Sequence, residues 1–370
     1  MSGLGNAFKR FFAECWTSVK RTFRGHLPLY ACLAIFLPLT IAITTAYHAP
    51  WSFESSEGFL GRVPEYFFVL MFFFAVAQYV ALARRRSRSP LRDFGRWLRS
   101  TLLSNDRPGH VFHTIVTLTP LMVSFSVLKE DVPLIHPFDW DDTFLNWDRT
   151  LFFGRLPWEI LQPVLGYPVI TAGINFLYDI WFVVMFAMLI WQAFFARGTV
   201  VRMQFLLAFA FSWFIAGNIL AVIFSSVGPC FYGYLHTPDP YAAQMAYLRE
   251  TADLWPVWSI PIQDLLWNSY ASTMGANIGI SAMPSMHVIM AVLFSISGWH
   301  INKWWGAGLT FFAVAIIIGS IHLAWHYAVD GIAGTLLAFV FWWVAGVIVR
   351  AQFRFAVGKT APAAAVAQTS

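Results

Sequence analysis

The sequence predicts an all-α membrane protein with about eight transmembrane helices, from its composition and its apolar patterning. Charged residues make up 12% of the 370 residues, while hydrophobic residues make up 58% and aromatic residues 18%. Soluble domains carry about 25% charged residues, so this chain could not cover a compact soluble surface. It is also too rich in Phe and Trp to be disordered. The apolar runs are continuous rather than alternating, which favours helical spans over a membrane barrel.

Eight apolar runs are each close to the length of about 20 residues that a helix needs to cross the hydrocarbon core. The predicted spans are 27–47, 64–83, 111–128, 174–196, 204–226, 283–300, 304–321 and 327–349. Two long segments on the same side of the membrane interrupt them. The first, 129–173, mixes aromatic and acidic residues and predicts either an amphipathic helix on the interface or an ordinary packed loop. The second, 227–282, is rich in Tyr, Trp and Pro and is expected to cap a site or rest on the headgroups.

The basic residues predict the orientation of the chain. With a cytoplasmic N-terminus, 19 of the 24 basic residues fall on the cytoplasmic side, mostly before residue 27 and within 84–110. Such an asymmetry is typical of cytoplasmic loops, so both termini are expected in the cytoplasm. The membrane would be the inner membrane of a bacterium or a Golgi-type membrane of a eukaryote. The net charge of +5 therefore reflects topology, and no nucleic-acid partner is expected. Three scattered cysteines predict neither a disulfide framework nor a thiolate metal site.

Ionisable residues at membrane depth are costly, and here they gather at one level. His287 opens the sixth predicted span at its outer end, behind Pro284 and Ser285. His326 and Asp330 lie at the turn into the eighth span, also at its outer end. Two distant segments of the chain are therefore predicted to bring two imidazoles and a carboxylate to the same depth.

These residue types supply the parts that phosphoryl transfer needs. On a helix, His326 and Asp330 would share a face, and the carboxylate would accept a hydrogen bond from one imidazole nitrogen. The other nitrogen would then be the better nucleophile, and His287 could donate a proton to a leaving oxygen. Free N–H groups at the helix start behind Pro284 would favour an anion.

Two motifs resemble those of a known family. Pro284-Ser285-Met286-His287 is similar to the Pro-Ser-x-His motif of the type-2 phosphatidic acid phosphatase superfamily, and His326-Tyr327-Ala328-Val329-Asp330 to its His-x-x-x-Asp motif. The His-Tyr variant most resembles the inositol phosphorylceramide synthase branch and the sphingomyelin synthases. The resemblance implies a six-helix core in 111–350, with His326 as a nucleophile that forms phosphohistidine. Asp330 would orient it, and His287 would act as general acid and then base, without metal or cofactor.

The apolar runs and the distribution of basic residues predict the organisation of the rest of the chain, and the resemblance implies two spans in addition to its core. Residues 1–26 would be a cytoplasmic segment, and 27–110 would hold two additional spans and a basic loop. Residues 351–370 would form a cytoplasmic tail. The partners would be the bilayer, a phospholipid donor and a lipid or water acceptor.

Some cations of the hydrolytic members are missing. Their Lys-x6-Arg-Pro motif is absent, and Gly319-Ser320 stands where they carry Ser-Arg. Gly228-Pro229 falls at the place of the first motif and resembles the synthase version, which implies substrate binding. Fewer cations favour a phosphodiester, which has one negative charge, over a dianionic phosphomonoester. Arg249 could neutralise the phosphate or lie at the rim.

The sequence thus predicts a membrane lipid phosphotransferase acting at the outer leaflet. It would move a headgroup such as phosphoinositol from a glycerophospholipid to a lipid alcohol such as ceramide. The alternative is a lipid phosphate phosphatase acting on phosphatidic acid or a polyprenyl (pyro)phosphate, with water as acceptor. A transporter is disfavoured because the titratable residues are confined to one interface rather than spread along the spans. A purely structural protein would not explain why they meet at one depth.

Three residues beside the motifs are open to two interpretations each. Ser285 could bind phosphate or only cap its helix. Tyr327 could bind substrate or belong to the aromatic belt at the interface. His322 could extend the polar face toward substrate or lie at headgroup level, and a metal site with His326 and Asp330 is a disfavoured third possibility.

Overall fold

The computed structural model describes residues 2–47, 69, 72, 75–76, 78–84, 89–195, 199–272 and 279–358, and within these ranges the regular elements are helices. The principal helices are α1 (Ser2–Thr22), α2 (Leu27–Ala46), α3 (Pro90–Leu103), α4 (Arg107–Glu130), α5 (Asp141–Leu151), α6 (Pro157–Leu165), α7 (Pro168–Asp179), α8 (Trp181–Ile190), α9 (Thr199–Phe211), α10 (Ala242–Leu254), α11 (Ser259–Ser272), α12 (Met286–Ile301), α13 (Lys303–His322) and α14 (Ala328–Gly358). Wide π-type turns prolong α8 over Trp191–Phe195 and α9 over Ser212–Leu220.

Six helical stretches in the described part of the chain are long and apolar enough to cross a membrane. They are Lys9–Ala46, Ser104–Glu130, Pro168–Phe194, Val200–Ile223, Lys303–His322 and Ala328–Arg354, and Met286–Ile301 is a shorter apolar helix. These spans confirm an all-helical, multi-pass architecture. The predicted second span, 64–83, lies largely outside the described residues, so the total of eight stays a prediction.

Helix α12 forms the centre of the bundle. Residues 288–295 are buried without interruption, and α9, α13 and α14 pack around them. A helix that is apolar on all sides must be enclosed by other helices, which is the position α12 takes. A short turn leads from α12 into α13, where the Asn302 side chain caps the new helix by accepting from the N–H groups of Trp304 and Trp305.

Helix α4 connects the two ends of the molecule. Its 24 residues span about 36 Å at 1.5 Å per residue. At its N-terminal end it packs against α1, where the Gly109 N–H donates to the Ser18 hydroxyl at 3.0 Å. Its C-terminal end reaches the opposite end of the bundle, where α5 packs on α14 and α6 packs on α13, and side chains of α10 and α11 bond the backbone at the end of α13.

Both outer segments contain helices. The first holds α5 and α6, and α5 buries Asp141, Phe144, Leu145 and Asp148 on one face. It is therefore amphipathic, and its buried face packs on protein. The predicted boundaries also shift: the helical stretch of the fourth span begins at Pro168 rather than 174, and α14 continues to Gly358, beyond residue 349.

Candidate functional site

Three non-helical segments cross at the outer end of the bundle and build the candidate site. They are residues 225–230 after α9, residues 279–285 before α12 and residues 323–327 between α13 and α14. The Ala282 N–H donates to the Ser226 carbonyl at 3.0 Å, and the Cys230 N–H donates to the Ala324 carbonyl at 2.9 Å. Backbone hydrogen bonds thus hold together segments that are far apart in sequence.

Residues of the second outer segment, 227–282, form hydrogen bonds with the end of α13 and the 323–327 turn. The Gln244 side chain donates to the Ile321 carbonyl at 2.8 Å, and the Gln263 side chain donates to the Leu323 carbonyl at 2.9 Å. The Trp325 indole donates to the Ser259 hydroxyl at 3.1 Å. This part of the molecule caps the site, one of the two roles the sequence predicted for it.

His326 precedes its helix instead of belonging to it. Helix α14 begins at Ala328, so the expected helical face shared by His326 and Asp330 is wrong for His326. The ring is held instead through Nδ1, which lies 2.8 Å from the Ala282 carbonyl oxygen and 3.4 Å from Asp330 Oδ2. Because both neighbours are acceptors, Nδ1 carries the proton and Nε2 keeps its lone pair.

Asp330 serves the backbone as well as the imidazole. Its Oδ2 accepts from the Tyr327 N–H at 3.0 Å, closing the turn that carries His326. Its Oδ1 is buried and has no hydrogen-bond partner among the described residues. The carboxylate of Asp330 is fully buried and does not contact solvent.

His287 lies in the first turn of α12 and faces His326. The centroids of the two rings are 6.3 Å apart. Tyr178 stacks on the His287 ring at 4.6 Å, and Trp181 lies against it at 4.5 Å while donating its indole N–H to the His287 carbonyl at 3.0 Å. The structure therefore brings together the two imidazoles and the carboxylate that the sequence predicted at one depth.

Burial sets the charge state of His326. Burial lowers the pKa of His326 to about 3, and the nearby positive charge of Lys129 lowers it further. The hydrogen bond to the Ala282 carbonyl opposes this shift, because it favours the protonated ring. A histidine with so low a pKa is neutral at physiological pH. The free Nε2 of His326 is thus available as a nucleophile.

Sequence reasoning missed Asp141, which joins two parts of the site. Its Oδ2 accepts from the Val227 N–H and its Oδ1 from the Gly228 N–H, both at 3.0 Å. Its Oδ1 also accepts from the Tyr327 hydroxyl at 2.7 Å. Burial raises the pKa of Asp141, while these hydrogen bonds favour the ionised form.

Sequence reasoning also missed Asp148 of α5, whose carboxylate caps the N-terminus of α14. Its two carboxylate oxygens accept from the Ala328 N–H at 2.8 Å and the Val329 N–H at 2.9 Å. These N–H groups are therefore not available to an anionic substrate. Burial raises the pKa of Asp148 to about 7, although both hydrogen bonds oppose that shift. The overlooked signal was two acidic residues seven apart on the apolar face of an amphipathic helix.

Three other residues predicted to bind substrate have structural contacts in the site. Ser285 is fully buried and caps α12, accepting from the Val288 N–H at 3.4 Å. Tyr327 is buried against Asp141, so it does not belong to an interfacial belt. Gly228 has φ of +90° and touches the 323–327 turn: a Cβ there would lie 2.9 Å from the Trp325 carbonyl oxygen.

His322 points away from the pair of imidazoles. Its Nε2 lies 2.8 Å from the Thr171 hydroxyl, which in turn lies 2.7 Å from the Tyr247 hydroxyl. Within the described ranges, no group of three or more His, Cys, Asp or Glu is arranged to hold a metal ion. Arg249 lies at the rim, where its guanidinium donates to both oxygens of Asp264 at 3.1 and 2.7 Å.

Two cavities lie on this end of the molecule. A small one of about 10 Å³ reaches His326 and is lined by residues that include Asp148, Pro229 and Tyr241. A larger one of about 510 Å³ opens above it and is lined by residues that include Asp142 and Arg149. The small cavity holds roughly one water molecule, so substrate entry requires part of its lining to move.

The helical bundle, with a histidine pair at the ends of two apolar helices, defines the class as a multi-pass membrane protein. A family model of the PAP2 superfamily matches residues 142–344, more than half of the chain, and the chain belongs to that superfamily. Comparisons with curated proteins and with solved structures gave no match. The resemblance that the two motifs predicted is therefore confirmed for the superfamily, whereas the inositol phosphorylceramide synthase-like branch stays a prediction.

Proposed function

We propose that this protein is an integral membrane lipid phosphotransferase. It takes the phospho-headgroup of a glycerophospholipid at the outer leaflet and passes it to a lipid alcohol, with phosphoinositol and ceramide as the donor group and acceptor that the sequence favours. The catalytic unit is the helical core in 111–350, and both termini lie in the cytoplasm. Membership of the PAP2 superfamily supports phosphatase or phosphotransferase chemistry in general.

The observation that carries the proposal is the pairing of His287 with His326. Their ring centroids are 6.3 Å apart, and reacting atoms approach to about 3–3.5 Å before reaction. Both rings can therefore reach one phosphorus atom once the lining of the small cavity moves to admit it. The Ala282 carbonyl holds His326 Nδ1 and leaves Nε2 free for attack.

The reaction has two steps that balance in atoms and protons. His326 Nε2 attacks phosphorus, and the bond from phosphorus to the glyceride oxygen breaks. His287, which takes up a proton when the anionic phosphate binds beside it, gives that proton to the leaving oxygen. In the second step neutral His287 takes the proton of the acceptor hydroxyl, whose oxygen attacks the phosphohistidine. The N–P bond then breaks and His326 is regenerated.

The second candidate is a lipid phosphate phosphatase, in which water replaces the lipid alcohol in the second step. The small cavity beside His326, with room for about one water, favours keeping this candidate. The described cations near the histidines are few, which favours a singly charged phosphodiester donor over a phosphomonoester.

The test uses purified protein in detergent with radiolabelled phospholipid donors, with and without acceptor lipid. We expect donor-derived label on the wild-type protein in an acid-labile, base-stable form, and label transfer when acceptor is added. The variant His326→Ala should lose both by more than a thousand-fold. His300→Ala, at the opposite end of α12, is the matched control and should keep full activity.

Activity of His326→Ala within ten-fold of the wild type would contradict the proposed nucleophile. Release of free phosphate or phospho-headgroup at the same rate without acceptor would favour the phosphatase instead.

A further inference from the structure

Lys129 is a cation at this end of the molecule that the mechanism above does not use. It lies in the last turn of α4, half-buried, and it forms no hydrogen bond or ion pair with any residue that the structure describes. A half-buried ammonium group without a partner is costly unless an anion joins it. The question is therefore which anion this site receives.

The packing of α4 directs Lys129 toward the start of α12. Phe125 lies one helical turn before Lys129, on the same face. A Cβ added at Gly217 would lie 2.7 Å from the Phe125 ring and 3.3 Å from Met286 Sδ, so this face of α4 meets the residue that precedes His287. Lys129 lies one turn further out on that face.

A second contact brings Lys129 to the other histidine. A Cβ at Gly279 would lie 2.2 Å from Lys129 Cγ and 2.6 Å from its carbonyl oxygen, so the two residues touch. Gly279 begins the segment that leads, three residues later, to Ala282, whose carbonyl holds His326. The positive charge of Lys129 acts on both His287 and His326.

Of the other described cations predicted on this side, two are engaged and the third is exposed. Arg249 is paired with Asp264, and Arg155 donates to the Glu159 carbonyl at 3.2 Å. Arg149 is exposed and lines the larger cavity. Around the histidines the protein supplies carboxylates, so a bound phosphate requires a positive charge from another residue.

We propose that Lys129 is the cation that binds the substrate phosphate between His287 and His326. The proposal rests on the phosphotransferase function above and assigns the positive charge that the motifs of this chain lack. Its ammonium donates to a non-bridging phosphate oxygen in the ground state and stabilises the charge that grows there in the transition state.

The test compares Lys129→Met, which removes the charge and keeps most of the stem, with Lys129→Arg, which keeps the charge. A charge-assisted hydrogen bond contributes roughly ten- to hundred-fold to affinity. We expect Lys129→Met to weaken binding of inorganic phosphate, measured by calorimetry in detergent, and to lower kcat/KM for the phospholipid donor by that factor. Lys129→Arg should restore both to within about five-fold of the wild type.

Arg249→Met is the matched control, since it removes a cation from the same face, and it should leave both measurements within two-fold. Phosphate binding by Lys129→Met equal to that of the wild type, or absent from the wild type as well, would overturn the proposal. Should Lys129→Met fail to fold, as judged by its elution profile and unfolding temperature, Lys129→Gln replaces it in the same comparison.

The experiments distinguish a failure of the proposed function from a failure of the proposed role of Lys129. Wild-type protein that binds phosphate through Lys129 but transfers no headgroup would remove the proposed function and leave the phosphate site. Transfer that depends on His326 and ignores the loss of Lys129 would remove only the assignment of the cation.

Discussion

At the scale of single residues, the candidate site depends on backbone groups as much as on side chains. The Ala282 carbonyl, not Asp330 alone, determines the His326 tautomer, and the Asp330 carboxylate also accepts the Tyr327 N–H. Gly228 lies where any side chain would collide with the turn that carries His326. Its φ of +90° with an extended ψ is a conformation that residues other than glycine rarely adopt.

We therefore expect Gly228→Ala to be destabilised by about 1–3 kcal/mol and to lose most of its activity, because the turn must shift to admit the Cβ. Gly173→Ala is the control: Gly173 is an exposed glycine inside α7 with no atom within 4 Å of an added Cβ. Unfolding temperature and activity per folded molecule measure the effect. Wild-type activity in Gly228→Ala would show that the turn does not depend on this contact.

At the scale of the element, α14 begins on a carboxylate from a distant helix. Asp148 of α5 accepts from the first two N–H groups of α14, which would otherwise lack partners in a helix. The positive end of the α14 dipole is thus neutralised by the protein itself. In the proposed reaction, phosphate recognition would therefore fall to other groups of the site.

The pKa of Asp148 predicts a pH-dependent stability. Because folding raises that pKa from its ordinary value to about 7, the folded state binds the proton more tightly than the unfolded chain. The contribution of this group to the free energy of unfolding is therefore greatest below pH ~4 and falls until pH ~7. We expect the difference in unfolding temperature between the wild type and Asp148→Asn to shrink over that interval.

Asp253→Asn, at an exposed position on α10, provides the comparison with a surface carboxyl in the same measurement. A wild-type advantage over Asp148→Asn that grows between pH 4 and 7 would contradict the raised pKa.

At the scale of the whole molecule, the two ends of the bundle carry charges of opposite sign. The end that carries α1 and α3 holds basic residues such as Lys20, Arg21 and Arg96. The end that carries the candidate site holds the acidic residues of α5 and its neighbours. Since α4 connects the two ends over about 36 Å, we expect the site and the N-terminus to lie on opposite sides of a membrane. The basic end is the one expected in the cytoplasm.

This orientation predicts which thiols a membrane-impermeant maleimide reaches in intact cells. Cys15 in α1 is half-buried, while Cys32 and Cys230 are buried. We expect no labelling of the wild type until the membrane is opened, when Cys15 reacts. Phe153→Cys, at the turn after α5 where the side chain is 96% exposed, should react in intact cells when Cys15 is replaced by Ser.

Labelling of Cys15 in intact wild-type cells would show the opposite orientation, with the candidate site on the cytoplasmic side.

The sequence by itself determined the helical membrane class and the superfamily, and it predicted the depth of the chemistry. Continuous apolar runs leave little alternative to helices in lipid, and the cost of burying ionisable groups makes His287, His326 and Asp330 stand out. The spacing of the two motifs was enough to indicate the superfamily that the comparison confirmed. These properties are local, so they can be read from neighbouring residues.

Only the tertiary structure decided what surrounds the histidines. Asp141, Asp148 and Lys129 lie in or beside the first outer segment, more than 130 residues before Ala282, and nothing in their local sequence indicates which backbone groups or rings they meet. His322 matched the helical spacing of a site residue, yet packing turned it toward Thr171. Such partners depend on how distant segments pack against each other, and the free energy that selects them is shared among all the contacts of the bundle.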